Sequence, residues 1–216
     1  MKIIAGIILL SIVFSKEEQD NIEFLYGILG HLDSQDDTSM VLQDSSIIHT
    51  GDEIRINVGY SKETYLYVIY KGSAGEYMLL YPENGEVLGN SADLPDTIYT
   101  TVLHWSKLTD PSGYETFFLI NSSFMLDELA SLVLRYDRIN AKGRMKLAKK
   151  IHAELNDLDP ETKQDLASIG SRLDIPVVGG VAFRGDDGNE LKDLSLTHTC
   201  RGEFGIAFKK IVLNHQ

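Results

Sequence analysis

The pattern of polar and apolar residues predicts four β-strands before residue 122. Residues 53–58 alternate strictly, which is typical of a strand with one face in water. Residues 64–70 are apolar or aromatic at almost every position, so we expect a central strand that is covered on both faces. The turn-forming residues 71–76 separate it from another apolar run at 77–81, which predicts a hairpin. A fourth strand is expected over residues 114–120, after another group of turn formers.

Helical spacing replaces this alternation after residue 122. Leu129 and Val133 belong to a first predicted helix, and Ser122 or Ser123 is placed to cap its first turn. A second helix is predicted over residues 141–155, with one apolar face that must be buried. That face consists of Met145, Ala148, Ile151 and Leu155.

A third helix is predicted to begin at Asp159, a capping residue followed by proline, and to stop at Gly170. Strand character returns at residues 176–183 and 203–213. We therefore expect an α+β protein with a β-sandwich-like antiparallel domain. A helical excursion of about three helices interrupts this domain, and C-terminal strands return to the sheet.

The N-terminus is typical of a secretory signal peptide. Lys2 precedes an apolar run at residues 3–14, which is shorter than the roughly 20 residues that span a bilayer. The small residues Val13 and Ser15 predict cleavage between Ser15 and Lys16, and a retained anchor is the weaker alternative. We expect a secreted or periplasmic protein without a transmembrane span after cleavage. The predicted division is a signal peptide at 1–15, a β-rich domain at 16–123, the helical excursion at 124–175 and C-terminal strands at 176–216.

Charge and cysteine content narrow the possible functions. The 216 residues include 32 acidic and 20 basic side chains, which gives a formal net charge of −12. A field of that sign repels phosphates, so nucleic acids are excluded as expected partners. The one cysteine, Cys200, excludes an intramolecular disulfide and a thiolate zinc site, and an inert thiol is expected.

The sequence contains no recognisable catalytic or metal-binding motif. Its six histidines occur singly, without the spacing of a metal or catalytic motif. They are His31, His49, His104, His152, His198 and His215. An acidic turn around Gly188 lacks the register of a calcium loop, so a solvated turn is expected there. We therefore expect no catalytic residues, no metal site and no cofactor.

One stretch of the second predicted helix has the opposite charge to the rest of the chain. Lys142, Lys146, Lys149 and Lys150 lie opposite its apolar face. We call these four lysines the basic face. They are candidates for docking on an acidic envelope protein or another anionic envelope component. The alternative is a solvated surface that is balanced by acidic residues further along the chain.

Several short motifs occur in a recognisable order between residues 22 and 122. They are a Gly-Asp turn, a Tyr-x-Tyr strand, a Leu-Tyr-Pro strand end, a Leu-Pro step and a Gly-x-Glu strand. Their positions are Gly51, Asp52, Tyr65, Tyr67, Tyr81, Pro82, Pro95, Gly113 and Glu115. In this order the chain resembles a bacterial extracytoplasmic domain family of unknown function. The end of the chain, residues 211–215, resembles the closing strand and histidine of its longer members.

This resemblance implies an exported β-sandwich-like module and no catalytic residues. Within it, residues 96–108 are less strand-like than the family pattern leads us to expect. From residues and resemblance together, we expect a non-catalytic binding or assembly module of the bacterial cell envelope. The alternative is an envelope hydrolase, which would need a histidine brought together with Cys200 or with paired carboxylates.

Overall fold

A computed structural model describes residues 21–32, 39–61, 63–82, 99–136, 138–160 and 198–216. These residues form two β-sheets and two α-helices, so the protein has a sheet-rich α+β fold. Four predicted features lie outside the described residues. They are the signal peptide with its Ser15–Lys16 junction, the Leu-Pro step at Pro95, the third helix after Pro160, and the segment 176–190 with its strand and acidic turn.

The first sheet has the strand order β10-β1-β4-β7 and is antiparallel. These strands are β1 (Ile22–His31), β4 (Glu53–Tyr60), β7 (Tyr99–Val102) and β10 (His198–Gly202). Two short strands extend it, because β2 (Met40–Leu42) pairs with β1 and β8 (Ser106–Lys107) pairs with β4. β1, the first described strand, is therefore paired with β10 from near the other end of the chain.

The second sheet has the order β3-β11-β9-β5-β6. Its strands are β3 (Ile47–Ile48), β5 (Tyr65–Lys71), β6 (Tyr77–Tyr81), β9 (Gly113–Ser122) and β11 (Ile206–His215). All neighbours are antiparallel except β3, which runs parallel to β11. The hairpin predicted from residues 64–81 is confirmed as β5 and β6.

The second sheet is buried on both faces, and this explains the continuous apolar run of β5. Leu66 and Val68 point into a core that also contains residues of β1 and β4 from the first sheet. Tyr67 and Ile69 point the other way, into a second core shared with the helices. Successive side chains of a strand point to opposite faces, so a strand between two cores must be apolar throughout.

The helices are α1 (Asp127–Tyr136) and α2 (Ala141–Leu158), and they pack on the outer face of the second sheet. The predicted burial of Leu129, Val133, Ile151 and Leu155 is confirmed, since each is at most 2% exposed. Met145 was assigned to the wrong face: its side chain is 65% exposed. Leu147 is buried instead, because one helical turn separates it from Ile151.

Two other local predictions are wrong. Ser122 and Ser123 do not cap α1, because β9 continues to Ser122 and the helix begins only at Asp127. The solvent-facing side predicted for β4 ends at Arg55. From Ile56 to Tyr60 every residue is buried, so this part of the strand is covered on both faces. Among the described residues, no helix is long and apolar enough to cross a membrane.

Candidate functional site

Three polar side chains converge at one end of the core between the two sheets. Tyr70, Glu115 and His215 lie on β5, β9 and β11, which are adjacent strands. Glu115 shares its face with the core residue Phe117, and His215 shares its face with Leu213. Strand alternation therefore directs all three side chains inward, where the apolar core ends.

Glu115 is the centre of this cluster. Its Oε2 accepts a hydrogen bond of 2.5 Å from the Tyr70 hydroxyl, and its Oε1 lies 3.1 Å from His215 Nδ1. The side chains of Glu115 and His215 are 2% and 0% exposed. Short hydrogen bonds to a buried carboxylate are among the strongest in proteins, so these contacts compensate for burying the charge.

Two loops continue the cluster to the surface. Thr50 Oγ1 lies 3.0 Å from His215 Nε2, and it donates a hydrogen bond of 3.1 Å to Asp110 Oδ1. Thr50 belongs to the β3–β4 loop and Asp110 to the β8–β9 loop, and both residues are exposed. We call Tyr70, Glu115, His215, Thr50 and Asp110 the polar end cluster.

The Gly-Asp turn holds Thr50 in position. Asp52 is 2% exposed, and its Oδ2 accepts a hydrogen bond of 2.7 Å from the His49 backbone N–H. Gly51 has a φ of +102°, a conformation that favours glycine. The Gly51 N–H and the Leu108 N–H form reciprocal backbone hydrogen bonds between the two loops, with the carbonyls of Leu108 and Asp52 as acceptors.

The glycine of the Gly-x-Glu motif is required by the close approach of Ser73 to Gly113. Gly113 has a φ of +152°, and a Cβ there would lie 2.7 Å from the Cβ of Ser73. The Ser73 hydroxyl in turn donates to the carbonyl of Pro111. Glycine at this position therefore lets the β5–β6 turn pack against the start of β9, two residues before Glu115.

Burial dominates the electrostatics of the cluster. Desolvation raises the pKa of Tyr70, and its hydrogen bond to Glu115 raises it further, because ionisation would put two negative charges side by side. The nearby Glu76 acts in the same direction. Tyr70 therefore remains a hydrogen-bond donor to Glu115 at physiological pH.

The cluster has the connectivity of a hydrolase triad, in which a carboxylate orients an imidazole that contacts a hydroxyl. Here the three groups would be Glu115, His215 and Thr50. Two features oppose acyl transfer at Thr50. The N–H groups of Gly51 and Asp52 already donate to protein carbonyls, and the Asp110 carboxylate would repel a developing oxyanion.

Cys200 does not contribute to this cluster. Its side chain is 8% exposed in the core between the sheets, and its thiol donates to the carbonyl of Phe208. Phe208 is seven residues from His215 along β11, which corresponds to about 23 Å. The structure therefore joins His215 to the Glu115 carboxylate, and Cys200 lies elsewhere in the core.

Other histidines have separate surroundings. The ring of His31 stacks on Trp105 with centroids 4.2 Å apart, and that of His198 stacks on Tyr26. His152 is exposed and lies near Asn156. Within the described ranges, no group of three or more His, Cys, Asp or Glu side chains could hold a metal ion.

The tyrosines of the family pattern have structural roles. Tyr67 is fully buried, and its hydroxyl accepts a hydrogen bond of 2.9 Å from the Leu126 N–H, just before α1. Tyr65 packs at the margin of the same core. The hydroxyls of Tyr81 and Tyr60 lie 2.8 Å apart, which links β6 of one sheet to β4 of the other. Pro82 directly follows β6.

The basic face is exposed along α2. Lys142, Lys146, Lys149 and Lys150 are all exposed, as predicted. Arg144 points elsewhere: its guanidinium lies over the ring of Tyr136, and its Nε donates to the carbonyl of Ile139. The face is therefore formed by the four lysines, while Arg144 packs at the α1–α2 junction.

Comparison of the chain with protein-family models, curated proteins and solved structures finds no match.

Proposed function

We propose that the protein is an exported, non-catalytic binding or assembly module of the bacterial cell envelope. The observation that carries this proposal is the basic face on α2. Four lysines extend into solvent from a helix whose opposite side buries Leu147, Ile151 and Leu155. Fold stability does not require them, because exposed ion pairs contribute only about 0–1 kcal/mol each.

The basic face differs in charge from the rest of the chain. The chain has a formal net charge of −12, so a cluster of four lysines is a local reversal of sign. An anionic envelope component or an acidic envelope protein would be attracted to this face and repelled elsewhere. The same contrast opposes nucleic acids, which would meet negative potential over most of the surface.

The proposal includes the finer architecture and the location. We infer that the two sheets form a β-sandwich and that a third helix follows Asp159, which would complete the excursion between residues 124 and 175. The resemblance over residues 22–122 supports export, and the signal-like residues 1–15 support Lys16 as the mature N-terminus. The intact mass of the exported protein tests that cleavage site, and a mass that includes residues 1–15 would contradict it.

Sedimentation with isolated envelopes tests the binding function. The wild-type protein is expected to sediment with envelopes at low salt and to be released at high salt. Replacing Lys142, Lys146, Lys149 and Lys150 with glutamate should abolish this association and leave the unfolding midpoint almost unchanged. Undiminished association of the folded variant would contradict the proposal.

A second candidate is an envelope hydrolase that uses the polar end cluster. The geometry in its favour is a chain of contacts in which the Thr50 hydroxyl meets the His215 imidazole, and the imidazole meets the Glu115 carboxylate. The Thr50 hydroxyl would first turn its proton from Asp110 to His215 Nε2. Thr50 Oγ1 would then attack an ester carbonyl and pass the proton to His215, which would return it to the leaving alkoxide. Water would then attack the acyl-threonine by the same route and release the acid.

Covalent labelling distinguishes the two candidates. A hydrolase of this kind should be phosphonylated at Thr50 by a fluorophosphonate, and Thr50→Ala should abolish labelling. The exposed Thr109, in the neighbouring loop, provides the control Thr109→Ala. If mass spectrometry finds no adduct on Thr50, the hydrolase candidate fails and the binding module stands.

A further inference from the structure

We propose that the basic face docks on an anionic phospholipid bilayer, with the exposed Met145 side chain inserted among the lipid headgroups. This inference rests on the proposed binding function and names the partner of that same face. It starts from the distribution of charge around α2 and from Met145, an exposed apolar side chain at the edge of the face.

The basic region extends beyond the four lysines. Residues 135–150 contain seven Lys or Arg residues and one acidic residue, so this segment carries +6 while the rest of the chain carries −18. Arg135 and Arg138, at the end of α1 and in the turn after it, are exposed like the lysines. Clusters of four to eight basic residues on an amphipathic helix are typical of binding to anionic lipids.

Helical geometry places these lysines on one side. At 100° per residue, Lys142, Lys146, Lys149 and Lys150 fall with Met145 in an arc of about 140°. From Lys142 to Lys150 the arc extends about 12 Å along the helix axis. Opposite it, Leu147, Ile151 and Leu155 hold the helix on the protein. All four ammonium groups can therefore approach one flat surface together.

Met145 decides between a bilayer and a soluble polyanion. Its side chain is 65% exposed at one edge of this arc, about 40° around the helix from Lys149. A soluble polyanion in water offers an apolar side chain little to contact, whereas the headgroup region of a bilayer accommodates apolar groups beside bound lysines. The strongly negative remainder of the chain would be repelled by the bilayer, so the protein would bind in one orientation.

Vesicle sedimentation tests this inference with the full-length mature protein. The probe is a vesicle of two parts phosphatidylcholine to one part phosphatidylglycerol, with vesicles of pure phosphatidylcholine as the reference. Lys146→Gln with Lys149→Gln should weaken binding about thirtyfold. The matched control is Lys107→Gln with Lys210→Gln, which makes the same charge change at exposed positions of β8 and β11 and should have a much smaller effect.

Met145→Ser identifies the nature of the partner. It should weaken binding to the anionic vesicles and leave binding to inorganic polyphosphate unchanged. The inference is overturned if the protein binds both vesicle types equally. It is also overturned if the Lys146/Lys149 and Lys107/Lys210 double substitutions weaken vesicle binding equally. Binding of polyphosphate without binding of vesicles overturns it too. If the protein does not bind vesicles but still binds envelopes through the four lysines, the proposed function is kept and only the lipid partner is wrong. If the lysine substitutions change neither vesicle binding nor envelope binding, both the proposed function and this inference are wrong.

Discussion

At the scale of single residues, the polar end cluster shows how a buried carboxylate is maintained. One oxygen of Glu115 accepts a hydrogen bond from Tyr70, and the other contacts His215. Both neighbours lie on the strands next to β9, on the same face of the sheet. A charge at the end of an apolar core is costly unless it is hydrogen-bonded. The cluster therefore behaves as one unit, and removing its central member should affect all the others.

We expect Glu115→Ala to lower the free energy of unfolding by about 3–5 kcal/mol, because it leaves the half-buried Tyr70 hydroxyl and the buried His215 imidazole without the carboxylate that they contact. Tyr114→Ala is the matched control, since Tyr114 is the preceding residue on β9 and is 68% exposed. The control should change stability by less than about 1 kcal/mol. Urea unfolding measures both. Equal stability of the two variants would mean that the cluster does not hold this end of the core.

Buried tyrosines predict a loss of stability at alkaline pH. Burial raises the pKa of Tyr67, Tyr70 and Tyr77 above the value of about 10 for unfolded tyrosine. The folded state then holds these protons more tightly than the unfolded state does. The stability they contribute is present below pH of about 10 and declines as the pH rises towards the folded pKa values.

Ultraviolet titration of tyrosinate, compared with circular dichroism, tests this prediction. Of the ten tyrosines, these three should ionise only as the protein unfolds, whereas in urea all ten should titrate together. Reversible ionisation of all ten near pH 10 in a protein with native circular dichroism would contradict it.

At the scale of elements, sequence periodicity identified strands and helices where one face is clearly apolar. The β5–β6 hairpin and β9 were predicted close to their observed bounds, because turn formers flank them. β1 was missed, although Phe24, Tyr26 and Ile28 alternate at its inward positions. β7, β8 and β10 were missed because short strands that contain threonine, serine and charged residues leave no apolar period.

Met145 illustrates the same limit in a helix. Spacing alone allowed either Met145 or Leu147 to join Ile151 and Leu155, since both choices give a plausible apolar stripe. Tertiary packing decides between them, because Leu147 meets the core that α1 and the second sheet share. Helix propensity could not reveal this, since both residues are good helix formers.

Paired substitutions in α2 test the corrected helix face. Ile151→Ala should cost about 2–5 kcal/mol of unfolding free energy, because the side chain is fully buried and its removal leaves a cavity. Met145→Ala should cost less than about 0.5 kcal/mol, because its side chain is mostly in solvent. Thermal and urea unfolding measure both values. A large effect of Met145→Ala would restore the original assignment of the face.

At the scale of the whole molecule, the candidate site depends on contacts that no local pattern contains. Thr50 and His215 are 165 residues apart in the sequence, and Glu115 and His215 are 100 apart. The sequence did single out Gly51, Asp52, Gly113, Glu115 and the terminal histidine as pattern positions. It could not show that they meet, because their convergence depends on the strand order of the second sheet.

The same long-range topology predicts that the described part of the chain folds as one cooperative unit. β11 pairs with β9 from Ile206 opposite Ser122 to His215 opposite Gly113, and β3 lies on its other side. Ile211 and Leu213 of β11 contribute to the core between the sheets. The helices pack on the outer face of the same sheet, and isolated helices of their length are marginal in water.

Deleting residues 206–216 should therefore abolish cooperative unfolding throughout the protein, including the helical signal of α1 and α2. The deletion removes an interior strand and exposes the edge of β9, so the helices lose the sheet that buries their apolar faces. Deleting Gln216 alone is the control, because that residue is exposed at the end of the chain, and its loss should leave a cooperative transition near the wild-type midpoint. Thermal melting followed by far-ultraviolet circular dichroism measures both. If the longer deletion kept a cooperative helical transition, the helical excursion would be an independent domain, and its packing on the second sheet would not be what stabilises it.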